Sequence, residues 1–171
     1  MTTTVERPAG GTSIDRVKDA RSLLTPTEFT DVLAVVMRNN PEMAHETAER
    51  VVTQSLAFVA ACSEFPQLRL KPSRVVDEGW HAQILCTRIY ARLCGTLGLF
   101  VHHVPEAPDV TRHDPDALRR TRQAITAAGY TVDAELWGAP TDTAIPVAAS
   151  CEHSEPPPAG CGFDCSNTGP N

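Results

Sequence analysis

From Phe29 to Leu97, apolar residues return every three or four positions, and this period commits most of the chain to amphipathic helices that must pack on one another. The best-marked segment begins at Thr25-Pro26-Thr27-Glu28. Thr25 can accept a hydrogen bond from a free helix N–H, Pro26 suits the first turn, and Glu28 completes a capping box. Phe29, Val32, Leu33, Val36 and Met37 then share one face, and the helix is expected to end at Asn39-Asn40. Asn40 and Pro41 are read as cap and first-turn residue of a second helix, with Ala44, Ala48, Val51, Val52, Ser55, Leu56 and Val59 in its stripe up to about Cys62. The short connection favours an antiparallel hairpin.

Prolines 66 and 72 break the pattern. Ser73 caps a third helix with Val76, Trp80 and Ile84, joined by Val75 and Leu85, on its core face. Thr87 caps a continuation through Ile89, Tyr90, Leu93, Cys94 and Leu97 whose end is marked by Gly95 and Gly98. Leu99 to Pro105 is too short for a helix and reads as a buried extended crossing or short strand containing His102-His103. Asp114-Pro115 opens a last helix through Leu118, Thr121, Ile125 and Ala128, closed by Gly129, after which Tyr130 to Trp137 packs back on the core. A weaker helical pattern runs from Ile14 to Leu24 through Val17 and Arg21. The expectation is an all-α bundle of about five helices with a short extended His-His segment. Residues 1–11 are expected to be disordered, 12–137 to form the helical domain, and 138–171 to be a flexible Pro- and Cys-rich tail.

The chain of 171 residues, 42% hydrophobic, suffices for one core. Fifteen basic against 21 acidic side chains give a net charge of -6, which argues against nucleic acid or an anionic membrane as partner. No stretch approaches the roughly 18 apolar residues of a membrane span, and the start lacks the basic head and apolar core of a secretory signal. The location is read as cytoplasmic. In a reducing compartment the six cysteines are expected to be thiols or metal ligands. Phosphate loops, Gly-x-Gly-x-x-Gly, Gly-x-Ser-x-Gly and His-Glu-x-x-His are all missing, so no nucleotide cofactor is expected and the common hydrolase chemistries lose support.

Asp77 and His81 stand four apart and share a helix face. A carboxylate beside an imidazole raises its basicity and fixes its tautomer, which suits a metal ligand with a supporting partner or a general base. The structural alternative is that Asp77 bridges within the fold while His81 is a satisfied core histidine beside Trp80. Successive side chains of an extended segment point to opposite sides, so only one of His102 and His103 should face a site near His81. Cys62, Cys86 and Cys94 read as small core residues, and Cys86, five positions after His81, points away from it.

The run Val76-Asp77-Glu78-Gly79-Trp80-His81, followed by Thr87, Tyr90, Cys94, Gly98 and Phe100-Val101-His102-His103-Val104-Pro105, resembles the glycine-rich domain-containing protein-like family in its small actinobacterial form. The resemblance covers roughly residues 20–140 and rests on Asp-x-x-Trp-His followed by Tyr-x-x-x-Cys. It implies no agreed reaction. Larger plant relatives commonly carry a second histidine where this chain has Gln83, and the His102-His103 pair would take its place. Small members often end, like this chain, in a Cys-rich tail.

After Trp137 the composition changes. No Lys or Arg follows Arg122, and residues 138–171 hold six of the 14 prolines. Cys151-x-His153 and Cys161-x-x-x-Cys165 offer four donors suited to zinc or Cu(I), and Pro156-Pro157-Pro158, about 9 Å long, can arch between them. The tail is equally read as a solvated appendage with incidental cysteines, or as a modified segment in which the cysteines, Ser154, Ser166 and Thr168 are substrates. The leading expectation is a metal-binding protein using zinc or copper, with ligands drawn from His81, His102, His103, Cys151, His153, Cys161 and Cys165 and support from Asp77 and Trp80. Its competitor is a ribosomal peptide precursor or interaction protein that presents the tail to a protein partner or modifying enzyme.

Overall fold

The computed structural model describes residues 17–103, 116–138 and 145–147, and among these it contains five α-helices and no strand. These are α1 (Pro26–Asn39), α2 (His45–Glu64), α3 (Arg74–Leu85), α4 (Thr87–Leu97) and α5 (Ala117–Ala127). The long α2 is central and packs against each of the other four, while α3 also meets α1 and α4. Its fully buried Val51, Val52, Leu56, Phe58 and Val59 supply the middle of the core.

Local chemistry explains most boundaries. Thr25 and Glu28 form the reciprocal capping box: the Thr25 hydroxyl accepts from the Glu28 N–H, and the Glu28 carboxylate accepts from the Thr25 N–H at 2.8 Å. That contact and the guanidinium of Arg92, 2.6 Å away on α4, hold the Glu28 carboxyl below its ordinary range. Ser73 caps α3, and its hydroxyl also donates to the Leu136 carbonyl at 2.6 Å. Gly98 and Gly129 take the left-handed conformation after α4 and α5, which glycine adopts without a steric penalty.

Several expectations are corrected. Of the expected Ile14–Leu24 helix, residues 14–16 lie outside the described residues, and from Val17 onward the chain forms only a 3-10 turn, Ala20–Leu23, with Val17 65% exposed. Asn40 closes α1 instead of opening α2, because its side-chain amide donates both to Val36 O and to the buried carboxylate of Glu78. The N-cap of α2 is Ala44, with no side-chain hydrogen bond, that of α4 is Cys86 rather than Thr87, and Gly95 lies within α4 instead of marking its end, which Gly98 alone makes with its left-handed backbone. Leu85 is 62% exposed, and Leu99 and Phe100 are exposed too, so the described residues 99–103 are neither buried throughout nor a strand. The expected cap at Asp114-Pro115 and the 1–11 segment lie outside the described residues.

Tyr130 to Trp137 returns to the core as expected, ending in a 3-10 turn, Ala134–Trp137, with Leu136 and Trp137 buried. Gln54 of α2 fastens it. Its amide oxygen accepts from the Trp137 indole at 2.8 Å and the Asp133 N–H at 3.2 Å, and its amide nitrogen donates to Thr131 O at 3.0 Å. Arg50 adds an ion pair to Asp133 at 2.7 Å that keeps the Asp133 carboxyl below its usual range. Within the stretch read as an appendage, Ile145 and Val147 lie against the core.

Candidate metal centre

Asp77 and His81 lie one turn apart on α3, and His103 reaches them from the chain that follows α4. The bend at Cys86 folds α4 back so that Tyr90 meets Trp80, and the reversal at Gly98 then carries residues 99–103 toward α3. The indole N–H of Trp80 donates to the Tyr90 hydroxyl at 2.9 Å, and that hydroxyl donates to the carbonyl of Val101. Burial pushes the Tyr90 hydroxyl up, which keeps it protonated and able to donate. His103, two residues beyond Val101, lies against the Trp80 ring with centroids 4.5 Å apart.

The result is a converging set of three donors. The Nε2 atoms of His81 and His103 are 3.0 Å apart. One oxygen of Asp77 lies 3.3 Å from His103 Nε2, and the other lies 3.5 Å from His81 Nε2. Ligands bound at about 2.0–2.1 Å, with angles between square and tetrahedral, are separated by about 2.9–3.5 Å. The imidazole–imidazole separation and the contact of each imidazole with its nearer Asp77 oxygen fall in that range, and one ligand atom from each of the three residues lies within 4.8 Å of the others. The group can therefore hold a metal ion. Asp77 is buried, whereas the side chains of His81 and His103 keep 23% and 18% of their surface exposed, so solvent reaches the imidazole side.

Asp77, read from sequence as the partner that orients His81, presents its carboxylate to the same nitrogens that face each other, and so stands among the donors. Of the adjacent histidines, His103 joins the group, while the exposed His102 packs on Phe100 with centroids 4.8 Å apart. Gln83 turns the other way, into α2, where its amide donates to Ser55 at 2.6 Å. A residue two positions after His81 is on the opposite side of the helix and cannot enter this group. Cys62 and Cys86 are thiols held protonated by burial, Cys62 at a value pushed up to about 12, and neither belongs to the group. Cys151, His153, Cys161 and Cys165 lie outside the described residues.

A family model with the description UCP032817-like matches residues 20–130, more than half of the chain. The chain belongs to the UCP032817-like family. The matched span contains all five helices and the three donors, whereas Trp137 and the tail cysteines fall beyond it. The glycine-rich naming of the sequence resemblance is no part of that description. No curated protein and no solved structure matches the chain. Among the described residues, no helix of this UCP032817-like protein is long and apolar enough to cross a membrane.

The Tyr90 hydroxyl links the helix carrying two donors to the segment carrying the third. In Tyr90→Phe the Trp80 N–H and Val101 carbonyl lose their partner, at a cost of about 1–3 kcal/mol for the buried donor. The variant is expected to melt at lower temperature and, since supporting hydrogen bonds typically govern 10–100-fold in affinity, to bind metal about tenfold more weakly. Thermal melts and metal titration of the same sample check both.

Proposed function

We propose that this protein binds one divalent transition-metal ion, zinc or copper, through Asp77, His81 and His103. The observation that carries the reading is the convergence of these three side chains from two separate parts of the fold, with one ligand atom from each lying within 4.8 Å of the others. Imidazole nitrogen and carboxylate oxygen are donors that both ions accept. The partly exposed imidazoles suit a site that water can enter. Three protein donors leave a coordination position for that water, as in catalytic rather than structural zinc sites. An ion there would supply activation of the bound water. A cytoplasmic location is consistent with this reading.

The tail donors enter as a candidate fourth ligand from Cys151, His153, Cys161 or Cys165. Elemental analysis of full-length protein, prepared without a chelating tag and dialysed against limiting zinc or copper, is expected to give one ion per chain. Less than about 0.1 ion per chain across both metals sinks the proposal. The quadruple variant with all four tail donors replaced by alanine is expected to keep the ion. Loss of the ion in that variant assigns the site to the tail and removes the claim of the helical group.

A further inference from the structure

We infer that the chain carries a second site, a binding cavity for a small apolar carboxylate, on the side of Trp80 that adjoins Phe65. A cavity of about 240 Å³ lies there, walled by Phe65, Leu70, Trp80, Leu99, Phe100 and Val101. A dry cavity of about 150 Å³ accommodates benzene, so this volume holds a chain of about six carbons or one substituted ring. Two polar side chains line the same cavity, Arg69 and His102. The Arg69 guanidinium pairs with no acid among the described residues, unlike those of Arg21, Arg50, Arg92 and Arg119. An arginine without an acid partner, lining an otherwise apolar cavity, selects an anionic head on an apolar body, and the planar fork of its guanidinium fits a carboxylate.

Arg69 is also held in an unusual way. It is the one non-glycine residue among those described with a positive φ, 46°, at the end of the short turn Pro66–Leu68. The left-handed conformation costs about 1–2 kcal/mol for such a residue. Cys62 lines the cavity but, as a thiol held protonated by burial, is poorly suited to act as a nucleophile. The site is therefore one of binding, and it shares the Trp80 ring with the metal group without depending on a bound ion.

Full-length protein should be titrated calorimetrically with hexanoate, hexanol and hexylammonium, once after chelator treatment and once with stoichiometric zinc. Hexanoate is expected to bind about tenfold more tightly than either of the others, with and without zinc, so that failure of the metal reading leaves this result intact. Arg69→Asn tolerates the left-handed backbone and should bring hexanoate down to the level of hexanol. Leu99→Trp, at a half-exposed wall position that tolerates bulk, should block all three. Equal binding of hexanoate and hexanol overturns the inference, as does a hexanoate preference that survives Arg69→Asn. A chain that sediments as a dimer and binds none of the three assigns the cavity to a second copy and overturns it as well.

Discussion

His103→Ala is expected to weaken zinc binding at least about 100-fold while leaving the helix content of the protein intact. The variant removes one of three donors, and the two that remain are both on α3, where one turn of helix holds them together but closes no site. His81→Ala should match it, and it adds no helix penalty because alanine is the better helix former. Asp77→Asn keeps the shape and removes the charge, and should also fall well below the parent. His102→Ala provides the internal comparison, since that ring lies exposed on Phe100 and should leave affinity unchanged. Competition against a chromophoric chelator measures each affinity, and circular dichroism checks the fold.

The same variants carry a stability signature. A ligand present at about 100 times its dissociation constant stabilises the state that binds it by about 2.7 kcal/mol. The parent protein should therefore melt at higher temperature with zinc, and His103→Ala should not respond. If His102→Ala and His103→Ala lose binding equally, the assignment of donors is wrong.

Gly79→Ala is expected to destabilise the fold by about 2 kcal/mol or more, against the ordinary preference of helices for alanine. A Cβ at Gly79 would lie 2.5 Å from Ser55 Oγ, 2.8 Å from Ser55 Cβ and 2.9 Å from the backbone carbonyl of Val51. These atoms belong to the central helix and to a short side chain, so relief requires α3 to move off α2. Alanine recovers about 1 kcal/mol of helix propensity, which is less than the cost of such overpacking in its upper range. Movement of α3 would also strain the Gln83–Ser55 hydrogen bond and draw Asp77 and His81 away from His103. Gly95 on α4 is the control. Nothing lies within 4 Å of the position its Cβ would take, so Gly95→Ala should stabilise by about 0.5–1 kcal/mol. Urea denaturation of both variants separates the two environments, and a more stable Gly79→Ala protein would falsify the close approach of α3 to α2.

Legibility in the sequence followed the range of the interaction. The caps at Thr25 and Ser73, the stops at Gly98 and Gly129 and the stripe of α1 are decided by residues three or four apart, and each appears where the pattern places it. Asn40 went astray because its amide answers to Glu78, 38 positions away. Leu85 and Val17 fit a helical period but meet no partner that covers them, so apolar character alone did not bury them. Gln54 and Gln83 look like interruptions of apolar stripes. Their meaning lies in the return of Trp137 and in the Ser55 contact, neither of which has a local signal.

For the candidate site, the sequence by itself determined that Asp77 and His81 share one face, since a helix of 3.6 residues per turn stacks positions four apart. It also narrowed the adjacent histidines to one, because an extended chain sends successive side chains to opposite sides. Only the tertiary structure decided which one, and that Asp77 stands among the donors. The reversal at Gly98 and the Tyr90 hydroxyl on the Val101 carbonyl set where residues 99–103 run, and Trp80 sets where the His103 ring rests. Those contacts join residues 10 or more positions apart, and no local pattern of side chains encodes a meeting at that distance.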